Sequence, residues 1–158
     1  MNYGICFYTL GVLLKVEAAL MVLPLAVCLI YGESPAAFLE TIVVLLILGQ
    51  LLTMRRPKSD AMYAKEGLWI VGASWILLSV FGAMPFWRSG EIPHYVDAFF
   101  ETVSGFTTTG ASILTNVEQM SQGMLFWRSF THWVGGMGVL VFVLAVLPKS
   151  DARLRSSV

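Results

Sequence analysis

Charge, cysteine and histidine are all scarce in this 158-residue chain, and each shortage removes a class of function. Only 13% of the residues are charged, against 57% that are apolar, and there are two cysteines and two histidines. His94 and His132 are too few and too far apart for a metal site built from several converging ligands, so hydrogen bonding at a helix end or interface is their expected role. Cys6 and Cys28 fall in or beside apolar runs, where free cysteine behaves as a small hydrophobe, and no disulfide is expected. The sequence holds no nucleophile with a plausible base, no glycine-rich phosphate loop and no metal-ligand cluster, which argues against an enzyme or an organic cofactor. Basic residues form short flanks rather than a patch interleaved with aromatics, so nucleic acid is not an expected partner. There is no low-complexity segment and no internal repeat. The N-terminus lacks a basic start and a small-residue cleavage site, and it reads as a retained span.

What the chain has is long apolar runs, with a strongly positive mean hydropathy, and membrane lipid is therefore its expected surroundings. Crossing a hydrocarbon core takes roughly 20 helical residues, and the sequence predicts four such spans. The first runs from about Thr9 to Tyr31, with Lys15 snorkelling at one membrane face beside Glu17 as its partner, and with Pro24 as a kink. The turn Gly32-Glu33-Ser34-Pro35 makes a tight hairpin into a second span, Ala36 to Met54. Gly67 to Trp87 and Met124 to Leu147 follow. The polar stretch Arg55-Arg56-Pro57-Lys58-Ser59-Asp60 divides the chain into a two-helix unit, 1–59, and a second unit, 60–158.

Basic residues orient these spans by their excess on the cytoplasmic side. Placing both termini in the cytoplasm puts Lys15, Arg55, Arg56, Lys58, Lys65, Lys149, Arg153 and Arg155 inside, and leaves only Arg88 and Arg128 outside. Glu33, Glu91, Asp97, Glu101 and Glu118 then fall in the outer half, as an acidic vestibule that would concentrate cations.

Between the last two spans lies a helix of about 12 residues, Tyr95 to Phe106, about 18 Å long. It is too short to cross a core of about 30 Å, so a re-entrant segment is predicted. Pro93 suits its first turn and Gly105 breaks it, while Val96, Phe99, Phe100 and Val103 form an apolar stripe expected to wedge between other helices. Irregular backbone at membrane depth survives only where protein encloses it or where it lines a watery cavity. The run after the helix, Phe106-Thr107-Thr108-Thr109-Gly110-Ala111-Ser112, therefore reads as pore-facing. Part of it lies over the threonine-valine-glycine-tyrosine-glycine filter of potassium channels, whose carbonyl oxygens replace the ion's hydration shell. The threonine and first glycine fit, whereas Ala111 and Ser112 stand in place of the tyrosine and second glycine. A helix entering from outside would also aim its negative carboxyl end at a cation. A capping turn in an outer loop is the plainer reading of the threonines. Asp97 and Glu101 share a face at i and i+4, and two readings stay open: pairing with Arg128, or hydration in the vestibule. Gly135, Gly136 and Gly138 fit close helix packing better than a gating hinge.

The run Tyr95 to Ser112, together with Phe126-Trp127-Arg128-Ser129 and His132-Trp133-Val134-Gly135-Gly136-Met137-Gly138, resembles the first pore repeat of the Trk/Ktr/HKT potassium-uptake superfamily, most closely its TrkH type. Pro24-Leu25 and Ile30-Tyr31-Gly32-Glu33 resemble the extra two-helix domain that precedes that repeat. The resemblance implies an all-α integral membrane protein: a helical hairpin, then one helix, re-entrant pore helix with filter loop, and helix of potassium-channel type. It further implies K+ as the transported ion, held by backbone carbonyls of Thr107, Thr108, Thr109 and Gly110. A bacterial inner-membrane location and a homodimer under a cytosolic nucleotide-binding ring are also implied. The family builds its pore from four repeats, whereas this sequence holds one, so the expectation is an N-terminal part of a transporter completed by the remaining repeats. A homotetrameric cation channel and a non-conducting membrane assembly protein are the alternatives.

Overall fold

A computed structural model describes residues 3–57 and 64–146, with side chains as far as 141, and every regular element among them is helical. The helices are α1 (Tyr3–Ile30), α2 (Ala36–Thr53), α3 (Ala64–Gly82), α4 (Met84–Arg88), α5 (Tyr95–Phe106) and α6 (Gln122–Val146), with a 3-10 turn at Val117–Gln119. Three stretches are long and apolar enough to cross a membrane: α1, α2, and α3 continued through α4. The 25 residues of α6 also suffice in length, although its last side chains, from 142 on, lie outside the described residues. So do the expected unit boundary at 59/60 and the basic tail from Lys149.

Element bounds follow the sequence reading with informative departures. The first helix starts six residues before Thr9, because nothing between Tyr3 and Tyr8 interrupts a helix. The third span breaks at Ala83, two residues before Pro85, whose missing N–H removes a hydrogen bond from the ladder. Lys15 does not pair with Glu17. Its ammonium donates to Gln50 Oε1 at 3.0 Å, on the facing helix of the hairpin. Glu17 instead points into the core, 2% exposed, and its carboxyl oxygens have no hydrogen-bond partner among the described residues.

Packing depends on small residues. A Cβ added to Gly11 would lie 3.0 Å from the carbonyl oxygen of Gly49, so α1 and α2 meet almost backbone to backbone, as membrane helices do when small residues line their contact. Gly32, at φ +69°, turns the chain between them in a conformation that glycine adopts without strain. The core then gathers Leu14, Met21, Phe38, Leu45, Phe86 and Trp127 from α1, α2, α4 and α6. Trp127, 1% exposed, donates its indole N–H to the carbonyl of Gly82 at 2.9 Å and so ties α6 to α3.

α5 meets its expected orientation only in part. Its buried face is Ala98, Glu101, Thr102, Ser104, Gly105 and Phe106, whereas Val96 is 75% and Phe100 47% exposed. In a membrane an apolar side chain needs no protein to cover it, while small and polar residues gain from contact and hydrogen bonding inside the bundle. The stripe is therefore split: Val96 and Phe100 face outward, while Phe99 and Val103 are half-buried and Phe99 packs on the core. Pro93 also lies before the helix, not in its first turn, because extended His94 (φ −97°, ψ 127°) is the residue that precedes α5.

Trp127→Phe keeps an aromatic ring but removes the bond to Gly82 and part of the buried side chain, leaving a buried carbonyl short of a donor. It should cost about 1–2 kcal/mol, read as a lowered unfolding midpoint in detergent. An unchanged midpoint would show that this bond does not hold α6 to α3.

Candidate functional site

The site begins where α5 stops. The N–H of Thr107 reaches Val103 O at 2.9 Å, that of Thr108 reaches Gly105 O at 3.0 Å, and that of Thr109 reaches Ser104 O at 2.9 Å. This pattern closes a helix around a left-handed residue. That residue is Thr108, at φ +56°, where glycine is usual and a β-branched side chain is strained. Gly105 thus does not break the helix. It lies in the last turn, where a Cβ would run into Thr131 Oγ1 of α6. Gly110, at φ +79°, provides a second left-handed turn, and there glycine fits without strain.

The threonine hydroxyls brace the turn. Thr107 Oγ1 donates to Val103 O at 2.6 Å and lies 2.8 Å from Thr109 Oγ1, while Thr108 Oγ1 donates to Thr107 O at 2.7 Å. Among the described residues, the carbonyl oxygens of Thr108, Thr109 and Gly110 accept no hydrogen bond. All four residues from Thr107 to Gly110 are exposed. The next carbonyl, of Ala111, is taken by Ser104 Oγ at 2.5 Å. Beyond it, the carbonyls of Ser112, Ile113 and Leu114 accept no hydrogen bond among the described residues either.

A buried carboxylate anchors the far end of this loop. Glu101, 2% exposed, accepts from Arg128 Nε at 2.7 Å, from the Ser112 hydroxyl at 3.0 Å and from the Ile113 N–H at 3.1 Å. Ser112 Oγ in turn accepts the N–H of Leu114 at 3.1 Å. Of the two open readings of Glu101, the pairing with Arg128 is the one formed, while Asp97 stays partly exposed. Two further carboxylates have local partners. Glu91 accepts from both the N–H and the hydroxyl of Ser121, and Glu33 accepts the N–H of Gln122 at 2.8 Å, so both cap the positive N-terminus of α6.

α6 fixes the loop from behind. A Cβ on Gly135 would lie 2.6 Å from the carbonyl carbon of Phe106, which accounts for that glycine by close packing. Gly136 and Gly138 are looser, the nearest neighbours of an added Cβ being Thr108 Cγ2 at 3.9 Å and Trp75 at 3.5 Å. His132 Nδ1 and Thr131 Oγ1 both approach Arg128 O, at 2.8 and 2.7 Å, in keeping with a hydrogen-bonding role for that histidine. Tyr95 donates to Val80 O at 2.7 Å and moors the other end of α5, and burial pushes its phenol above the ordinary value. Ser104, Ser112 and Thr131 were not read as site residues from sequence, because single hydroxyl residues in a threonine-rich run carry no signal of which carbonyl they will meet.

Comparison with known proteins places the chain as a whole. The sequence model of the family described as TrkH, cation transport protein, matches residues 34–156. The Trk system potassium uptake protein TrkH of Salmonella typhimurium is 40% identical over 143 residues, covering 87% of this chain and 29% of that protein. The Trk system potassium uptake protein TrkG of Escherichia coli is 36% identical over 141 residues, with the same two coverages. The crystal structure of the potassium transporter TrkH from Vibrio parahaemolyticus superposes with a TM-score of 0.86 at 33% identity, over 94% of this chain and 32% of that one. This chain thus spans under a third of the length of the relatives it matches.

Glu101→Gln removes the carboxylate that matches Arg128 and should cost about 2–3 kcal/mol. Proteolysis should then cut first within 107–114. Equal protease resistance in the variant would show that the loop is held by something else.

Proposed function

The chain belongs to the TrkH cation transport family, and on that premise we propose that it supplies one of four filter strands in a potassium-uptake pore. K+ is the transported ion, and the carbonyl oxygens of Thr107, Thr108, Thr109 and Gly110 are its ligands. The observation that carries this reading is the loop after α5, exposed from Thr107 to Gly110, with left-handed turns at Thr108 and Gly110 and no internal acceptor role for its last three carbonyls. Backbone of this kind is stable at membrane depth only if it faces a water-filled path or other protein. A dehydrated cation is the ligand that uncharged carbonyls satisfy best.

One strand cannot surround an ion, so the other three come from further repeats of the same polypeptide or from other copies. The short share of its relatives that the chain covers favours the first arrangement. In this reading residues 1–59 are an accessory hairpin and 60–158 the first pore repeat. Both ends lie in the cytoplasm of a bacterial cell with the chain in its inner membrane, and a cytosolic nucleotide-binding ring regulates the assembly. The basic residues Arg55 and Arg56 at the end of α2, and the acidic ones at the opposite end of the bundle, support this orientation. Potassium uptake by the Trk systems of the related proteins fits the same assignment.

Gly110→Ser, made in the four-repeat protein, forces a side chain onto a residue at φ +79° and should displace its carbonyl. The expected result in liposome flux is a loss of preference for potassium over sodium of about tenfold, equivalent to about 1.4 kcal/mol. Unchanged selectivity with normal flux would remove Gly110 from the filter.

A further inference from the structure

Arg88 and Glu40 form an ion pair that no part of the filter uses, with Nε 2.7 Å from Oε2 and both side chains 48% exposed. The pair stands at the rim of an open groove of about 600 Å3 between α2 and α4. Leu39, Val43, Val44 and Met84 form the apolar walls, and Leu39 and Val43 turn about half their surface outward. Trp87, 41% exposed, lies under the guanidinium, whose carbon is 5.8 Å from the ring centroid. Glu40 is near the start of α2 and Arg88 ends α4, so the pair sits near the end of the bundle that carries the hairpin turn. That is the level of a membrane interface, where tryptophan collects.

The pair is incomplete in a particular way. Only Nε of Arg88 and Oε2 of Glu40 are engaged. Among the described residues, the two terminal guanidinium nitrogens and Glu40 Oε1 make no hydrogen bond. Donors for an anion and an acceptor for a cation therefore stand side by side above an apolar trough. We propose that this groove binds one phospholipid with a zwitterionic, primary-amine headgroup of the phosphatidylethanolamine type. The phosphate lies on the terminal nitrogens of Arg88, the ammonium donates to Glu40 Oε1, and an acyl chain fills the groove beside Val43. Charge complementarity sets the class of lipid. Glu40 repels a headgroup that is only anionic, and a trimethylated amine has no N–H to give Glu40. The inference rests on the membrane location of the chain and not on its role in potassium uptake.

The test is native mass spectrometry of the chain, in the assembly in which it purifies from membranes, with phosphatidylethanolamine, phosphatidylcholine or phosphatidylglycerol of equal chain length. Phosphatidylethanolamine should be retained about tenfold better than either of the others, as expected for one charge-assisted hydrogen bond. A photoreactive acyl chain on that lipid should attach within 39–44 or to Met84. Arg88→Gln and Glu40→Gln should each abolish the headgroup preference, and Val43→Trp, which leaves the ion pair intact, should lower retention of every lipid. Equal retention of the three lipids by the unaltered protein would overturn the proposal, as would attachment elsewhere. A groove that retains no lipid because other protein covers it would overturn it as well. Lipid preference and attachment in the unaltered chain decide the matter even if a variant fails to fold.

Discussion

Glu17 and Glu101 are both 2% exposed, but among the described residues only Glu101 meets donors, and they lie on the segments that flank the loop after α5. Arg128 comes from α6, while Ser112 and Ile113 come from the strand that leaves the loop. One buried side chain thereby fixes the distance between the short helix, the exit of the loop and the long helix behind it. Removing a partner from such a group costs far more than the pair contributes against an apolar replacement, so the arrangement acts mainly as a device for position. Ser104, one helical turn later, repeats the device on a smaller scale by holding the carbonyl of Ala111. Between these two restraints and the helix end, the stretch Thr107 to Gly110 is kept in one shape with its last carbonyls unspent.

Lipid explains why the bundle is arranged in this manner. α5 sends Val96 and Phe100 outward and keeps Glu101, Thr102 and Ser104 inside, because hydrocarbon makes apolar exposure costless and polar exposure expensive. The same logic places small residues at the crossings. Gly11 meets Gly49, Gly105 meets Thr131, and Gly135 meets the backbone of Phe106. Strain is accepted at one point: Thr108 holds a left-handed conformation that a β-branched residue disfavours by about 1–3 kcal/mol, and its hydroxyl bond to Thr107 O helps retain it. A glycine would remove the strain and the methyl group that faces Gly136.

Much of this was legible in the residues. The length of Tyr95 to Phe106 gave a helix that cannot span, and the structure reproduces both bounds. Gly110, the glycine of the threonine run, stands at φ +79°, where glycine fits without strain. Polar partners were harder to read. Lys15 and Glu17 are neighbours in sequence, yet at two residues apart they face different ways on a helix, and one meets Gln50 while the other turns inward. The local partners of the acidic residues were equally hidden: the N–H groups of Ser121 and Gln122 at the start of α6 bind Glu91 and Glu33. Helix ends need acceptors wherever they fall, and only the folded chain shows which carboxylates are near. The apolar stripe of α5 was legible as a stripe, but it splits between a core contact at Phe99 and outward faces at Val96 and Phe100, because periodicity locates a face without saying what covers it.

The central claim is that an ion takes the carbonyls from Thr107 to Gly110. Anomalous scattering from thallous or rubidium ions, soaked as potassium substitutes into crystals of the four-repeat protein, locates the ion directly. The account predicts peaks in front of those four carbonyl oxygens, with Ala111 O still held by Ser104. Peaks confined to the carboxylates of Asp97 or Glu118, with none along the loop, would contradict it.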